Sequence, residues 1–284
     1  MIIKKQPYEY CQMKEKYTCE IISSFEAGNT YFHMHNNYEI FLLLKGNINY
    51  FVEQTCYSMH AGDLILVNDN EIHKAINLSN QCFDRLVIHI NPDMIRQYCT
   101  PQTNLFSCFH IGQEQENYVQ LETKEASKLI DFGTRLSDLI NNTDLSDYGQ
   151  DITADLLMLE ILLLVNKFYM QKHSTNRVPT PNRVLDIMNY VDEHLTEILS
   201  LDSIATAMSL DKYYISHLFK AETQSSIFQY ILVKRISLAK EMLAKGHTVT
   251  ETCQLAGFND YSNFIRSFRK ITGFTPGQYR KSFH

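Results

Sequence analysis

The chain has 284 residues, 44% of them hydrophobic and 20% charged, with a formal net charge of −6. That length exceeds one average domain, and the composition excludes a disordered, collagen-like or low-complexity chain. Seven scattered cysteines without a C-x-x-C pair argue against a disulfide framework or a zinc knuckle, and the opening MIIKKQPYEY has no apolar stretch behind its lysines to act as a secretory signal.

From about residue 18 to 110 the chain reads as short β-rich runs, YFHMH, YEIFLLL, NINYFVE, DLILV and DRLVIHI, broken by Gly, Asn and Asp. Many short strands in one segment predict a barrel or sandwich. The period then changes, and helices are expected over about 122–141 and 151–172. In the second, Leu156, Leu157, Leu159, Ile161, Leu163, Leu164 and Phe168 place apolar groups on almost every side. Such a helix needs cover on more than one face, from the barrel on one side and from a second copy or its own chain on the other. Its apolar run carries Glu160 and is too short to span a bilayer, so a cytoplasmic protein with no membrane contact is expected.

KHSTNRVPTPN gathers Ser, Thr, Asn and two prolines, and marks a linker. The expected division is a barrel over 1–115, a helical pair over 116–173, a linker over 174–181 and a last domain over 182–284. Charge divides the same way. Residues 182–284 hold 12 Lys+Arg against 10 Asp+Glu, and within 212–281 the balance is 11 against 4, whereas residues 1–181 hold 14 against 22. Only the last part is suited to phosphates.

After the linker the periodicity is helical throughout. Asn182 can cap a helix with the stripe Val184, Ile187, Met188, Val191 and Leu195. Two segments of matching design follow. LSLDSIATAMSLDKYYISHLFKAET holds a short helix from Ser200, a turn at Ser209–Asp211 and a helix from Lys212. HTVTETCQLAGFNDYSNFIRSFRKITG repeats it, with a Thr248/Glu251 capping box, a turn at Gly257 and Asp260 as the next cap. Between them Phe228, Ile231, Leu232, Ile236, Ala239, Met242 and Leu243 stripe one connecting helix. Residues 227 to 244 would span roughly 27 Å, and major-groove faces recur every ~34 Å along one side of B-DNA, so two recognition helices on one connector can enter successive grooves.

In the first recognition helix Tyr214, Ile215, Leu218 and Phe219 take the buried side, leaving Lys212, Tyr213, Ser216, His217 and Lys220 outside. In the second, Phe264, Ile265, Phe268 and Ile271 are buried, leaving Ser262, Asn263, Arg266, Ser267, Arg269 and Lys270. Asn and Arg pair with adenine and guanine edges, Ser and His make single contacts, and Lys220, Arg269 and Lys270 suit phosphates. A basic helical repeat can be a mere solvated surface, but two copies with matched turns favour a double-stranded DNA operator.

AGFNDYSNFIRSFRKITGFTPGQYRKS closely resembles the signature of AraC/XylS-family transcription regulators, as do SLDKYYISHLFKAET and the Arg235-x-x-x-Ala239-x-x-x-Leu243 run. Over about residues 183–283 the resemblance implies two helix-turn-helix subdomains joined by a helix, with base contacts from Tyr213, Ser216, His217, Ser262, Asn263 and Arg266. Gln224 and Ser225 replace the usual Gly after the first recognition helix, which predicts a looser turn there. Upstream, Gly28-x4-His33-x-His35-x3-Glu39-x6-Gly46 and Gly62-x10-His73-x3-Asn77 resemble the two cupin motifs over roughly residues 20–95, with Asn68 and Asn70 in place of the usual Pro and Gly. In cupin enzymes the matching four positions hold a metal ion. The fold class implied is α+β: a cupin-like barrel with a two-helix dimerisation element, then an all-α double helix-turn-helix.

Three readings compete for the histidine cluster. As a catalytic metal site, His33, His35, Glu39 and His73 would hold a divalent transition metal and leave room for substrate. As an effector pocket, Tyr31, His33, His35, Tyr38, Glu39 and His73 would hydrogen-bond a small molecule, with Phe41 and Tyr50 as further walls. As core, they would be satisfied barrel polar groups. The pocket is the favoured expectation, the metal is second, and no other cofactor or catalytic residue is called for. The whole reads as a homodimeric, effector-responsive DNA-binding regulator rather than an enzyme.

Overall fold

A computed structural model of the chain describes residues 15–25, 31–69, 71–79, 81–109, 116–141, 148–171 and 182–282. The expected linker 174–181, Gly28 and Asn70 lie outside them, as does the side chain of Asn182. Among the described residues eight antiparallel strands come first: β1 Tyr17–Ser24, β2 Tyr38–Lys45, β3 Ile48–Val52, β4 Thr55–Met59, β5 Asp63–Val67, β6 His73–Asn77, β7 Phe83–Ile90 and β8 Tyr118–Gln120. They form a five-stranded sheet, β1-β7-β2-β5-β8, and a three-stranded sheet, β4-β3-β6. Gly46 closes the turn into β3 at φ +103°, where a Cβ would stand 2.8 Å from Phe83 Cβ.

Period-2 alternation sorts β2 between two cores. Tyr38, Ile40 and Leu42 face one way, into a cluster with two helices, α1 Thr123–Asn141 and α2 Gln150–Gln171. Phe41 and Leu43 face the other, into the space between the sheets with Tyr50, Val52, Tyr57 and Met59. The far face of the small sheet supplies Phe51, Cys56 and Ile76 to a third cluster, which continues into the C-terminal helices. The molecule is therefore layered as helices, sheet, sheet and helices.

Two expectations change and one is narrowed. YFHMH is not a strand: its one ladder contact is an isolated bridge between His33 and His73. The helical pair does not start at 116, because β8 pairs with β5 and belongs to the larger sheet, on which α1 and α2 then rest. And of the two covers left open for the outer face of α2, the chain's own is not seen among the described residues. Leu157, Met158, Ile161, Leu162 and Val165 pack on the sheet, while Ile152, Leu156, Leu163 and Met170 face outward, each half exposed or more.

The C-terminal helices follow their caps closely. They are α3 Asn182–Glu193, α4 Leu201–Met208, α5 Lys212–Thr223, α6 Ile227–Ala244, α7 Val249–Leu255, α8 Tyr261–Thr272 and α9 Pro276–Lys281. Ser200, Ser226, Thr248 and Thr275 each close a capping box. The α3 stripe is buried as expected. In α6, however, Phe228 is half exposed, and Ile227, Tyr230, Val233 and Lys240 join Ile231, Ile236, Ala239 and Leu243 inside. Arg235 ties this helix to the end of α3: its Nε donates to Leu195 O at 2.9 Å and its Nη2 to Glu197 O at 2.6 Å.

Candidate functional site

Between the sheets the alternation of β2 delivers one charged group, Glu39, into an apolar layer. Directly opposite it on β7 stands His89. His73 arrives from β6, and the bridge to His33 brings the segment carrying His33 and His35 alongside, through His73 N–H donating to His33 O at 2.9 Å and His33 N–H to His73 O at 3.2 Å. Glu39, His35, His73 and His89 are all buried. Glu39 Oε2 lies 3.0 Å from His35 Nε2, 3.2 Å from His89 Nε2 and 3.4 Å from His73 Nε2. Its Oε1 accepts from Tyr50 OH at 2.8 Å.

The outer ring nitrogens decide what the inner ones can offer. His35 Nδ1 lies 2.9 Å from Asn37 O and His73 Nδ1 2.8 Å from Glu71 O. A carbonyl only accepts, so both Nδ1 atoms carry the proton, and in the neutral rings Nε2 turns its lone pair toward Glu39. Lone pairs facing a carboxylate repel unless a cation, proton or metal, lies among them. His73 Nε2 is buried without a hydrogen-bond partner of good geometry.

Electrostatics follow the same geometry. Burial pushes the Glu39 carboxyl up, but the charge of His73 and the close approach of the His35, His73 and His89 rings outweigh it and hold the group well below the usual range. Burial lowers His73, and Glu39 more than reverses this, leaving it raised. Burial dominates at His35, lowered to about 4, and at His33, lowered further by its neighbours His73 and His35. A proton shared within this group is therefore held chiefly by the His73–Glu39 pair.

The structure thus brings together His33, His35, Glu39, His73 and the wall residues Tyr50 and Phe41, whose rings meet edge to face at 4.7 Å. It removes Tyr38, which neighbours Glu39 in the strand and so faces the opposite side, stacked on Phe109 at 4.6 Å. The Tyr31 side chain is half exposed, and only its carbonyl approaches His33, at 3.4 Å. Asn77 closes a turn instead, donating to Phe25 O and Gln81 O. His89 is the residue that sequence reading missed. Its signal was present in RLVIHI, where period 2 from the apolar Leu86, Ile88 and Ile90 puts His89 on the inner face.

At the other end, both recognition helices start from an aspartate cap. Asp211 Oδ1 accepts from Tyr213 N–H and Tyr214 N–H, and Asp260 Oδ1 from Asn263 N–H. Tyr213, His217 and Lys220 on α5, with Ser262, Asn263, Arg266, Arg269 and Lys270 on α8, are exposed, and Ser216 is partly so. Tyr214 belongs with neither core, being 43% exposed with its hydroxyl accepting from Arg183 Nη1 at 2.7 Å. The turn after α5 is not looser than its counterpart. Gln224 takes the left-handed cap at φ 52°, as Gly273 does at φ 80°.

Comparison with known proteins accounts for both ends. A model described as AraC-like ligand binding domain matches residues 22–144, and one described as helix-turn-helix domain matches residues 204–282. The transcriptional regulator YdeC of Bacillus subtilis is 25% identical over 88% of this chain and 85% of its own length. The transcriptional activator RhaS of Salmonella heidelberg is 22% identical over 88% of this chain and 87% of its own. Among solved structures, ToxT from Vibrio cholerae is 15% identical over 95% of this chain and 100% of its own, with a TM-score of 0.39.

Proposed function

The chain belongs to the AraC family of transcription regulators, with a ligand-binding domain ahead of a helix-turn-helix DNA-binding domain, and we propose that the Glu39–histidine cluster is where its effector is sensed. One observation carries the reading: a carboxylate and three imidazoles, all buried, converge in an otherwise apolar layer, an arrangement costly to fold around unless a ligand satisfies it. The barrel senses and the basic C-terminal face reads an operator. No helix among the described residues is long and apolar enough to cross a membrane, in keeping with a regulator working in the cytoplasm.

Within that reading the donor set favours a divalent transition metal over an organic molecule. Both Glu39 oxygens already touch side chains, so an organic ligand must displace one. An ion needs only the ring nitrogens already turned inward. Two overlapping sets, His33/His35/His73 and His35/Glu39/His89, each bring their ligand atoms within 4.8 Å of one another. Separations of 3.0 to 3.4 Å around Glu39 Oε2 suit bonds of about 2.1 Å. His35, Glu39, His73 and His89 would hold the ion, with Asn37 O and Glu71 O fixing two of the rings from behind. The relatives that match most of the chain are transcriptional regulators, and the ion would be a signal rather than a reagent.

On the DNA side, Ser262, Asn263 and Arg266, with Tyr213, Ser216 and His217, are the base-reading set, and Lys220, Arg269 and Lys270 bind phosphates. The outward row Ile152, Leu156, Leu163 and Met170 of α2 supports a homodimer presenting two half-sites.

Elemental analysis of protein purified without chelator, beside a thermal-shift screen of small organic ligands, tests the site. Close to one equivalent of metal, lost in His73→Ala and His89→Ala, is the expected result. A metal-free protein stabilised by an organic ligand would return the site to the pocket reading, and a response to neither would remove both.

A further inference from the structure

The wall that carries the histidines inward carries the DNA-binding domain on its outer side. In residues 32–36 the alternation is strict. His33 and His35 face the cluster; Phe32 and Met34 face away, buried in the core shared with the C-terminal helices. The Phe32 ring meets that of Tyr230 on α6 edge-on at 5.3 Å. Asn36 Oδ1, the next outward position, accepts from Lys240 Nζ at 2.5 Å. β6 repeats the arrangement. His73 points inward, while Ile72 and Lys74 point outward, and Lys74 Nζ donates to Thr223 O at 2.7 Å and to Ser225 Oγ at 2.9 Å. These are the residues around the left-handed cap that ends the first recognition helix.

Inner and outer contacts are thus one peptide unit apart, on two segments tied backbone to backbone at His33 and His73. A flanking ion pair fixes the edge: Lys234 Nζ on α6 lies 2.8 Å from Glu53 Oε2 at the β3–β4 turn and 2.9 Å from Asp192 Oδ2. Neither recognition face is covered by this docking, since Tyr213, His217 and Arg266 remain exposed. The contact therefore sets where the first helix-turn-helix is held rather than whether it is masked. Lys74 is buried at the contact, and Thr223 and Ser225, to which its Nζ donates, both belong to the DNA-binding domain.

Resting on the reading of the cluster as the ligand site, we infer that occupancy there is transmitted to the first helix-turn-helix through the one-peptide wall of residues 32–36 and 72–74, with Lys74 as the main connection to the turn at Thr223–Ser225. Fixing the histidine rings removes freedom from both segments, and the turn held by Lys74 loses freedom with them. Coupled sites need an element that both of them touch, and this wall carries the histidine rings on one side and the contacts to the turn on the other.

The test uses the full chain, Zn²⁺ as the probe, and a duplex selected from random sequence by the wild-type protein. Zinc stoichiometry is measured alongside, so that binding and transmission are read separately. On zinc binding, amides of residues 223–226 should exchange more slowly, and affinity for the duplex should shift by about fivefold or more. Lys74→Met should bind zinc with unchanged stoichiometry yet lose both responses. Ser225→Ala, which removes one acceptor from the other side, should weaken them and serves if the Lys74 variant does not fold. Zinc that binds without moving exchange at 223–226, or responses that persist undiminished in Lys74→Met, would overturn the inference. If zinc does not bind, the metal reading fails on its own. The wall is then tested by Tyr50→Phe, which removes a hydrogen bond to Glu39: altered exchange at 223–226 supports transmission, and unaltered exchange refutes it.

Discussion

The two helix-turn-helix repeats are built alike and situated differently. Each opens with a capped short helix and enters its recognition helix on an aspartate. Each ends in a left-handed residue beside a buried threonine: Thr223 Oγ1 donates to Phe219 O at 2.6 Å, and Thr272 Oγ1 to Phe268 O at 2.8 Å. Yet the first repeat lies against the barrel through Lys74, while Phe32 and Asn36 hold the connecting helix α6, and its proposed DNA face is lightly charged, with Tyr213, Ser216, His217 and Lys220. The second packs on α6, α7 and α9, and carries Arg266, Arg269 and Lys270. Duplication of a fold is thus compatible with division of labour. On the proposed roles, one copy would receive the signal and the other would grip the phosphates.

The largest effects should come from the elements the repeats share. Phe219→Ala and Phe264→Ala each empty a fully buried site, so each should lower stability by about 3–5 kcal/mol in chemical denaturation. If the docking matters to the first repeat, only Phe219→Ala should also loosen the barrel contact, seen as faster exchange around Lys74. Next in size are the proposed base-reading groups. Arg266→Ala or Asn263→Ala should lose about 1–3 kcal/mol at the selected site and relax preference at one position. The matching change His217→Ala should lose less, because an imidazole makes a single contact. Equal losses in the two helices would erase the proposed division.

Assembly is the third lever. Leu156→Glu with Leu163→Glu should give monomers by light scattering, with weaker binding to a two-half-site duplex and unchanged binding to a single half-site. A wild-type monomer at micromolar concentration would rule the dimer out. Smaller still, Lys270→Ala should weaken all duplexes alike and reduce the salt slope by about 1. Smallest is the cap itself. Gln224→Gly relieves a left-handed non-glycine residue and should stabilise by up to about 1 kcal/mol, whereas Gly273→Ala should cost about as much. A gain at 224 that also dulls the response to zinc would mean that the strained turn is itself part of the signal path.

Much of this molecule was written locally. Ser200, Asp211, Thr248 and Asp260 satisfy orphan amides of their own first turns, so the sequence alone placed the ends of α4, α5, α7 and α8, and a single 3.6-residue stripe identified α3. His33, His35, Glu39 and His73 were legible as a set through the resemblance of their spacing to the two cupin motifs. What local pattern could not carry was the pairing of distant segments. That His89 lies across from Glu39 depends on the register of β2 with β7, set by a ladder between residues about fifty positions apart. That Tyr38 turns away follows from the same pleat once the inner face is known. The burial of Lys74 was decided by a domain contact, since a side chain's solvent is fixed by what packs on it and not by its neighbours in the chain. Gln224 shows the same rule in the backbone: a residue that disfavours φ 52° adopts it where its N–H donates to Lys220 O and the Ser225 N–H donates to Thr223 Oγ1.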